Sequence, residues 1–188
     1  LKTCVIIAGG PSLVREDVSL AERSTWMIMG VNNAFKICEK LDYWYACDAA
    51  FWKRNKGGLG VQVKKYSLEQ TPYTDVFCLT NSGVTGVSID WPCLKTGGNS
   101  GYQAINLAVL LGFRKIVLLG YDMQRTYGKA HWHEDHKGNN PTDNSLKRWV
   151  DEYNNLAVIL DGIGVEVLNA SRETALKCFK KVSLGAVL

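Results

Sequence analysis

Short apolar runs alternate along this chain with stretches whose apolar positions recur at helical spacing. Residues 4–8 (Cys-Val-Ile-Ile-Ala) form a continuous run rich in β-branched side chains and closed by Gly9-Gly10-Pro11, the pattern of a strand buried on both faces. Pro11 and Ser12 open a polar, acidic stretch to Ala21 that suits a first helix, with Glu16 and Asp17 near its positive end. Residues 26–29 predict a second strand, 34–40 a short helix and 43–47 a third strand ending at Asp48. Residues 53–65 hold five basic residues and three glycines without periodicity and read as a surface excursion. Residues 76–79 predict another strand, followed by an irregular stretch.

Gly97-Gly-Asn-Ser-Gly101 then precedes an apolar helix over 102–111, ended by Gly112 at a cap position. Residues 115–119 are the cleanest buried strand and run into Gly120-Tyr121-Asp122. A long polar loop, 123–143, contains all three histidines. The apolar positions Leu146, Trp149, Val150, Tyr153, Leu156, Ala157 and Leu160 follow helical spacing, which predicts a helix whose apolar face, Trp149 included, is buried on a sheet. A last strand covers 165–168. This alternation implies a single α/β domain over residues 1–188, Rossmann-like and three-layered, with a mostly parallel sheet whose interior strands include 4–8 and 115–119.

Composition narrows the class. With 46% hydrophobic and 21% charged residues over 188 positions, the chain is far from disordered or fibrous compositions. The net charge of +4 is spread along the chain with no basic run, which argues against nucleic acid as a partner and leaves small anions open. Six cysteines occur without a Cys-x-x-Cys spacing, and Cys4, Cys38, Cys47 and Cys78 lie in apolar stretches. Reduced thiols and a cytoplasmic setting are expected. No apolar stretch reaches the roughly 18 to 20 residues that span a bilayer, so no transmembrane segment is expected. The apolar tail over 182–188 admits three readings: closure of the core, a contact in a homo-oligomer, or the cut end of a longer chain.

In such folds ligands bind outside the carboxyl ends of the strands. The residues there are polar: Gly9, Gly10 and Ser12, then Asn32 and Asn33, then Asp48, and later Asn81, Asp122 and Asn169. Gly9-Gly-Pro-Ser12 lacks the third glycine of the dinucleotide fingerprint and the Gly-Lys-Ser/Thr of a P-loop. Read as a tight turn into a helix N-terminus, it can hold a phosphate, and Gly97–Gly101 offers a second such nest with Ser100 and Gly101. For His131, His133 and His136 three readings stand open: a metal site completed by Glu134 or Asp135, a solvated surface loop, or a general base near neutral pH.

Val5-Ile-Ile-Ala-Gly-Gly-Pro-Ser-Leu13, the Asn32-Asn33 turn, Tyr45-Ala-Cys-Asp48, Gly97-Gly-Asn-Ser-Gly101 and the run from Leu107 to Asp122 together resemble one superfamily. It contains the small bacterial sialyltransferases of the Campylobacter type and the DUF115 proteins, among them 6-hydroxymethylpterin diphosphokinases. The resemblance covers residues 4 to 170. From the sialyltransferase branch it implies an inverting, nucleotide-sugar-dependent glycosyltransferase: a CMP-activated sugar held by Gly9, Gly10, Ser12, Asn32, Asn33, Asp48, Ser100, Gly101 and Asp122, with no metal cofactor. The partner would be a glycan or other hydroxyl acceptor, deprotonated by His136 in a lid, with His131 and Tyr127 near the leaving phosphate and Gln124 beside Tyr127. Asp48 departs from the asparagine of that branch. The diphosphokinase branch implies ATP and Mg²⁺ instead, with Asp48 and Asp122 as metal ligands. A non-catalytic nucleotide-binding or assembly module is the third implication.

Overall fold

The computed structural model describes residues 2–133 and 140–187. His136, with Glu134, Asp135 and Gly138, lies outside the described residues. Among the described residues there are ten strands and four α-helices: β1 (Thr3–Ile7), α1 (Arg15–Arg23), β2 (Met27–Val31), β3 (Tyr43–Tyr45), α2 (Ala49–Arg54), β4 (Lys64–Ser67), β5 (Val76–Cys78), β6 (Thr80–Asn81), β7 (Cys93–Leu94), α3 (Ser100–Leu110), β8 (Lys115–Leu119), α4 (Asp143–Gly162), β9 (Glu166–Asn169) and β10 (Lys180–Lys181). Eight strands form one parallel sheet in the order β10-β9-β8-β1-β2-β3-β4-β5, while β6 and β7 pair separately.

The two central strands are those with the most continuous apolar runs. On β1, Cys4 and Ile6 face one layer while Val5 and Ile7 face the other; on β8, Ile116 and Leu118 alternate in the same way with Val117 and Leu119. All are buried, as the two-residue period requires of a strand covered on both sides. One layer holds α3 and α4 through Ile105, Leu107, Tyr153, Leu156 and Leu160. The opposite layer holds α1 through Val18 and Ala21, with Trp44, Phe51 and Trp52 packing as an aromatic cluster beside it. The parallel three-layer α/β fold expected from the alternation is therefore present.

Several local readings are corrected. The first helix starts at Arg15 behind Val14, so Ser12 sits in a preceding turn closed by the Leu13 N–H on the Gly10 carbonyl. Residues 34–40 are not an α-helix; a 3-10 turn ends at Lys36. The excursion at 53–65 runs into β4, whose Lys65 is buried because its Nζ donates to the Gly58 carbonyl at 3.0 Å and to Asp75 Oδ2 at 2.7 Å. Partnered in this way, a lysine serves an inner strand that binary patterning reads as surface. Trp149 is only partly buried and lines a cavity, whereas the buried positions of α4 are Tyr153, Leu156 and Leu160. The tail closes the core: Leu184 is buried in the layer of α1, with Val182 and Val187 partly buried against it. All six cysteines are free thiols. Among the described residues no helix is long and apolar enough to cross a membrane.

Candidate functional site

Chain order reverses between β1 and β8: the strands after β1 run outward on one side, and β8 to β10 run outward on the other. The loops leaving such a pair diverge and open a crevice at the carboxyl ends. A cavity of about 360 Å³ lies there, within the range of small-molecule sites.

Its base is the junction of two glycine turns. The Gly10 N–H donates to the Gly120 carbonyl at 2.7 Å. A Cβ on Gly10 would lie 2.1 Å from Asp122 Oδ1 and 2.4 Å from the Gly120 carbonyl oxygen, so only glycine permits this approach. Asp122, 1% exposed, accepts from the Ser12 N–H at 2.9 Å, from Ser12 Oγ at 2.8 Å and from Thr126 Oγ1 at 2.9 Å. Burial raises its carboxyl above the ordinary value, against the lowering effect of those donors. Ser12 is buried and outside the cavity lining; it secures Asp122 rather than facing the space.

The histidine loop folds back onto this junction. The Trp132 N–H donates to the Gly9 carbonyl at 3.1 Å, and the His131 and His133 rings stack with centroids 5.0 Å apart and planes 3° from parallel. A side chain at residue 9 would come within 3.1 Å of His131 Nδ1 and 3.7 Å of His133 Nε2, so the glycine leaves room for both imidazoles. Asn33 Nδ2 lies 3.4 Å from His133 Nε2.

On the β2 and β3 side, Asn32 turns the chain in the left-handed region (φ 51°) and places a buried Oδ1, without a hydrogen-bond partner, on the wall. Asp48, exposed at the rim, is the residue before α2, and Arg54 from the end of that helix joins it. Cys47 also lines the wall, and burial pushes its thiol up to about 11, which leaves it protonated and weakly nucleophilic at neutral pH.

The third wall is the start of α3. Gly97 and Gly98 are left-handed (φ 51° and 76°) and deliver Asn99 as N-cap, its Oδ1 accepting from the Tyr102 N–H at 2.9 Å and from Tyr153 Oη at 3.0 Å. Tyr121 Oη donates to the Gly101 carbonyl at 3.0 Å, which anchors the first turn from the sheet side. The N–H groups of Ser100 and Gly101 are first-turn donors with no intrahelical acceptor, on a wall of the cavity.

No family model, curated protein or solved structure matches this chain.

Of the sequence-predicted residues, the structure brings Gly9, Gly10, Asn32, Asn33, Asp48, Ser100, Gly101, Asp122 and His131 to one cavity, with His133 and Gln124. Tyr127 is apart, 87% exposed and outside the lining. Asn169 is buried in hydrogen bonds to Ser171 and Thr174, and exposed Asn81 belongs to the small sheet. Sequence reading missed Gln103, Arg54, Trp132 and Trp149. Gln103, 4% exposed with Oε1 accepting from Tyr45 Oη at 2.7 Å, left a legible signal as a polar break in an apolar helix. Trp149 left none, because an apolar stripe does not say which of its members face a cavity.

Proposed function

We propose that this chain is a transferase that holds a nucleotide-activated sugar across the strand ends and passes the sugar, with inversion, to an acceptor hydroxyl. The observation that carries the reading is the pair of imidazoles stacked above Gly9 in the same cavity as the open α3 N-terminus. A helix end suited to anionic oxygens and a proton acceptor suited to neutral pH are the two requirements of this reaction. The acceptor oxygen attacks the anomeric carbon from the face opposite the phosphate. The carbon to phosphate-oxygen bond breaks, its electron pair leaves with the nucleotide, and the acceptor proton passes to imidazole. His131 and His133 are the described candidates for that base, and His136 belongs in the same substitution series.

Diphosphoryl transfer from ATP is the second reading, favoured by the strand-end carboxylates Asp48 and Asp122. The fit to Mg²⁺ is poor at Asp122, whose two oxygens already accept three hydrogen bonds. A nucleotide-binding module without catalysis is the third. Calorimetric titration with CMP, CDP, ATP and a CMP-sugar, each with and without Mg²⁺, separates them. Cytidine-nucleotide binding without metal dependence supports the transferase. ATP binding that requires Mg²⁺ replaces it with the diphosphokinase, and silence towards all four ligands leaves the non-catalytic assembly module.

A further inference from the structure

Buried polar atoms in folded proteins almost always find partners, and the exceptions ask for an explanation. Among the described residues five buried side-chain atoms lack one, and three of them, Asn32 Oδ1, Trp132 Nε1 and Trp149 Nε1, belong to residues that line the cavity. That concentration marks a surface shaped for something other than the chain itself.

Trp149 is the most informative because its surroundings fix what it waits for. Its Nε1 lies 3.2 Å from where a Cβ on Gly98 would stand, so the indole N–H is at the left-handed turn that leads into α3. Arg148 Nη2 lies 4.0 Å from the same point. The first-turn N–H groups of Ser100 and Gly101 follow after the Asn99 cap. Asn99 Oδ1, the nearby carboxamide acceptor, is already occupied by Tyr102 and Tyr153. The polar groups nearest Gly98, Trp149 Nε1 and Arg148 Nη2, are thus donors, one of them cationic, and donors without acceptors select an anionic oxygen. Gly98 carries no side chain to crowd the indole edge, against which a Cβ would stand 3.2 Å from Nε1 and 3.5 Å from Cδ1.

We propose that Trp149 Nε1–H, assisted by Arg148, is a specificity-determining donor to a phosphate oxygen of the bound nucleotide, so that α4 and the α3 turn grip the phosphate from two sides. The assignment rests on the nucleotide reading above and moves the phosphate contact away from Tyr127. A hydrogen bond to a charged oxygen is worth about tenfold or more in affinity. Trp149→Phe keeps an aromatic ring and removes the N–H.

The test compares CMP with cytidine, and ATP with adenosine, on the wild-type chain and on Trp149→Phe by calorimetry. The expected result is that wild type prefers nucleotide to nucleoside and that the variant loses about tenfold of that preference while its nucleoside affinity is unchanged. A preference kept in full by a folded variant overturns the proposal and leaves the nucleotide reading intact. A wild type that does not distinguish either nucleotide from its nucleoside overturns both. A second measurement works even if the variant folds poorly. In ¹⁵N spectra of the wild type, which has six tryptophans, the Trp149 indole N–H resonance, assigned through Trp149→Tyr, should shift downfield with CMP and stay in place with cytidine. Equal shifts with both, or none with CMP, reject the phosphate contact.

Discussion

At the scale of single residues, the site is governed by how closely two backbone turns approach. Gly10 and Gly120 touch through one hydrogen bond, and the Asp122 carboxylate fills the space a Cβ at residue 10 would need. Gly10→Ala should therefore cost about 1 to 3 kcal/mol by overpacking, read from urea unfolding, and should weaken ligand binding because β1 and β8 can no longer close at their ends. A variant with wild-type stability would show that the junction yields freely. Asp122 makes a second, pH-dependent prediction. Burial, first, and the charge of Glu173 raise its carboxyl, outweighing the donors from Ser12 and Thr126. The folded chain then holds that proton more tightly than the unfolded chain does. Asp122 accordingly contributes most below the ordinary carboxylate value, and its contribution falls as pH rises through the folded value. The stability difference between wild type and Asp122→Asn, measured by denaturant from pH 3.5 to 7, should decrease with rising pH across that window. A difference that grows or stays constant would contradict the placement of the buried charge.

At the scale of elements, α4 shows what a pattern can and cannot reveal. Its apolar spacing specifies a helix, and Thr142 starts it by accepting from the Ser145 N–H at 3.1 Å. Tyr153, Leu156 and Leu160 face the sheet, but Trp149, one turn before Tyr153, reaches the cavity instead. Leu156→Ala should lose about 2 to 5 kcal/mol as a core truncation, whereas Trp149→Ala should lose well under the roughly 3 to 5 kcal/mol of a core tryptophan. Chemical denaturation of the pair decides, and equal losses would place Trp149 in the core after all. The strands β1 and β8 were readable because both faces of each are buried, which leaves an unbroken apolar run. By contrast β4 was hidden, since Lys64 and Lys65 mimic a surface segment until the Asp75 partner is known. Likewise the acidic stretch after Pro11 was legible as a helix, but its start was not. The Gly10 to Leu13 turn and the hold of Asp122 on Ser12 depend on a carboxylate 110 residues away, a contact no local pattern contains.

At the scale of the molecule, the polar strand ends could be read along the chain, but their convergence depends on strand order. The cavity gathers residues 8–10 with Gly120 and 122–124, 31–34 with Cys47, Asp48 and Arg54, and 98–101 with Leu146 and Trp149, so its walls come from both sides of the β1/β8 junction. The histidine segment adds a fourth wall held to Gly9 by one backbone hydrogen bond. A ligand that touches all of these binds the folded chain and not the unfolded one, and must stabilise it by RT ln(1 + [L]/Kd), about 2.7 kcal/mol at a hundredfold excess over Kd. Because the walls are distant in sequence, the effect should be global as well as local. The thermal midpoint should rise with CMP concentration along that logarithm, and amide exchange should slow both at residues 98–101 and at 130–133. Slowing at only one of these segments would mean that the ligand does not bridge the junction, and a midpoint indifferent to nucleotide would remove the nucleotide from the site.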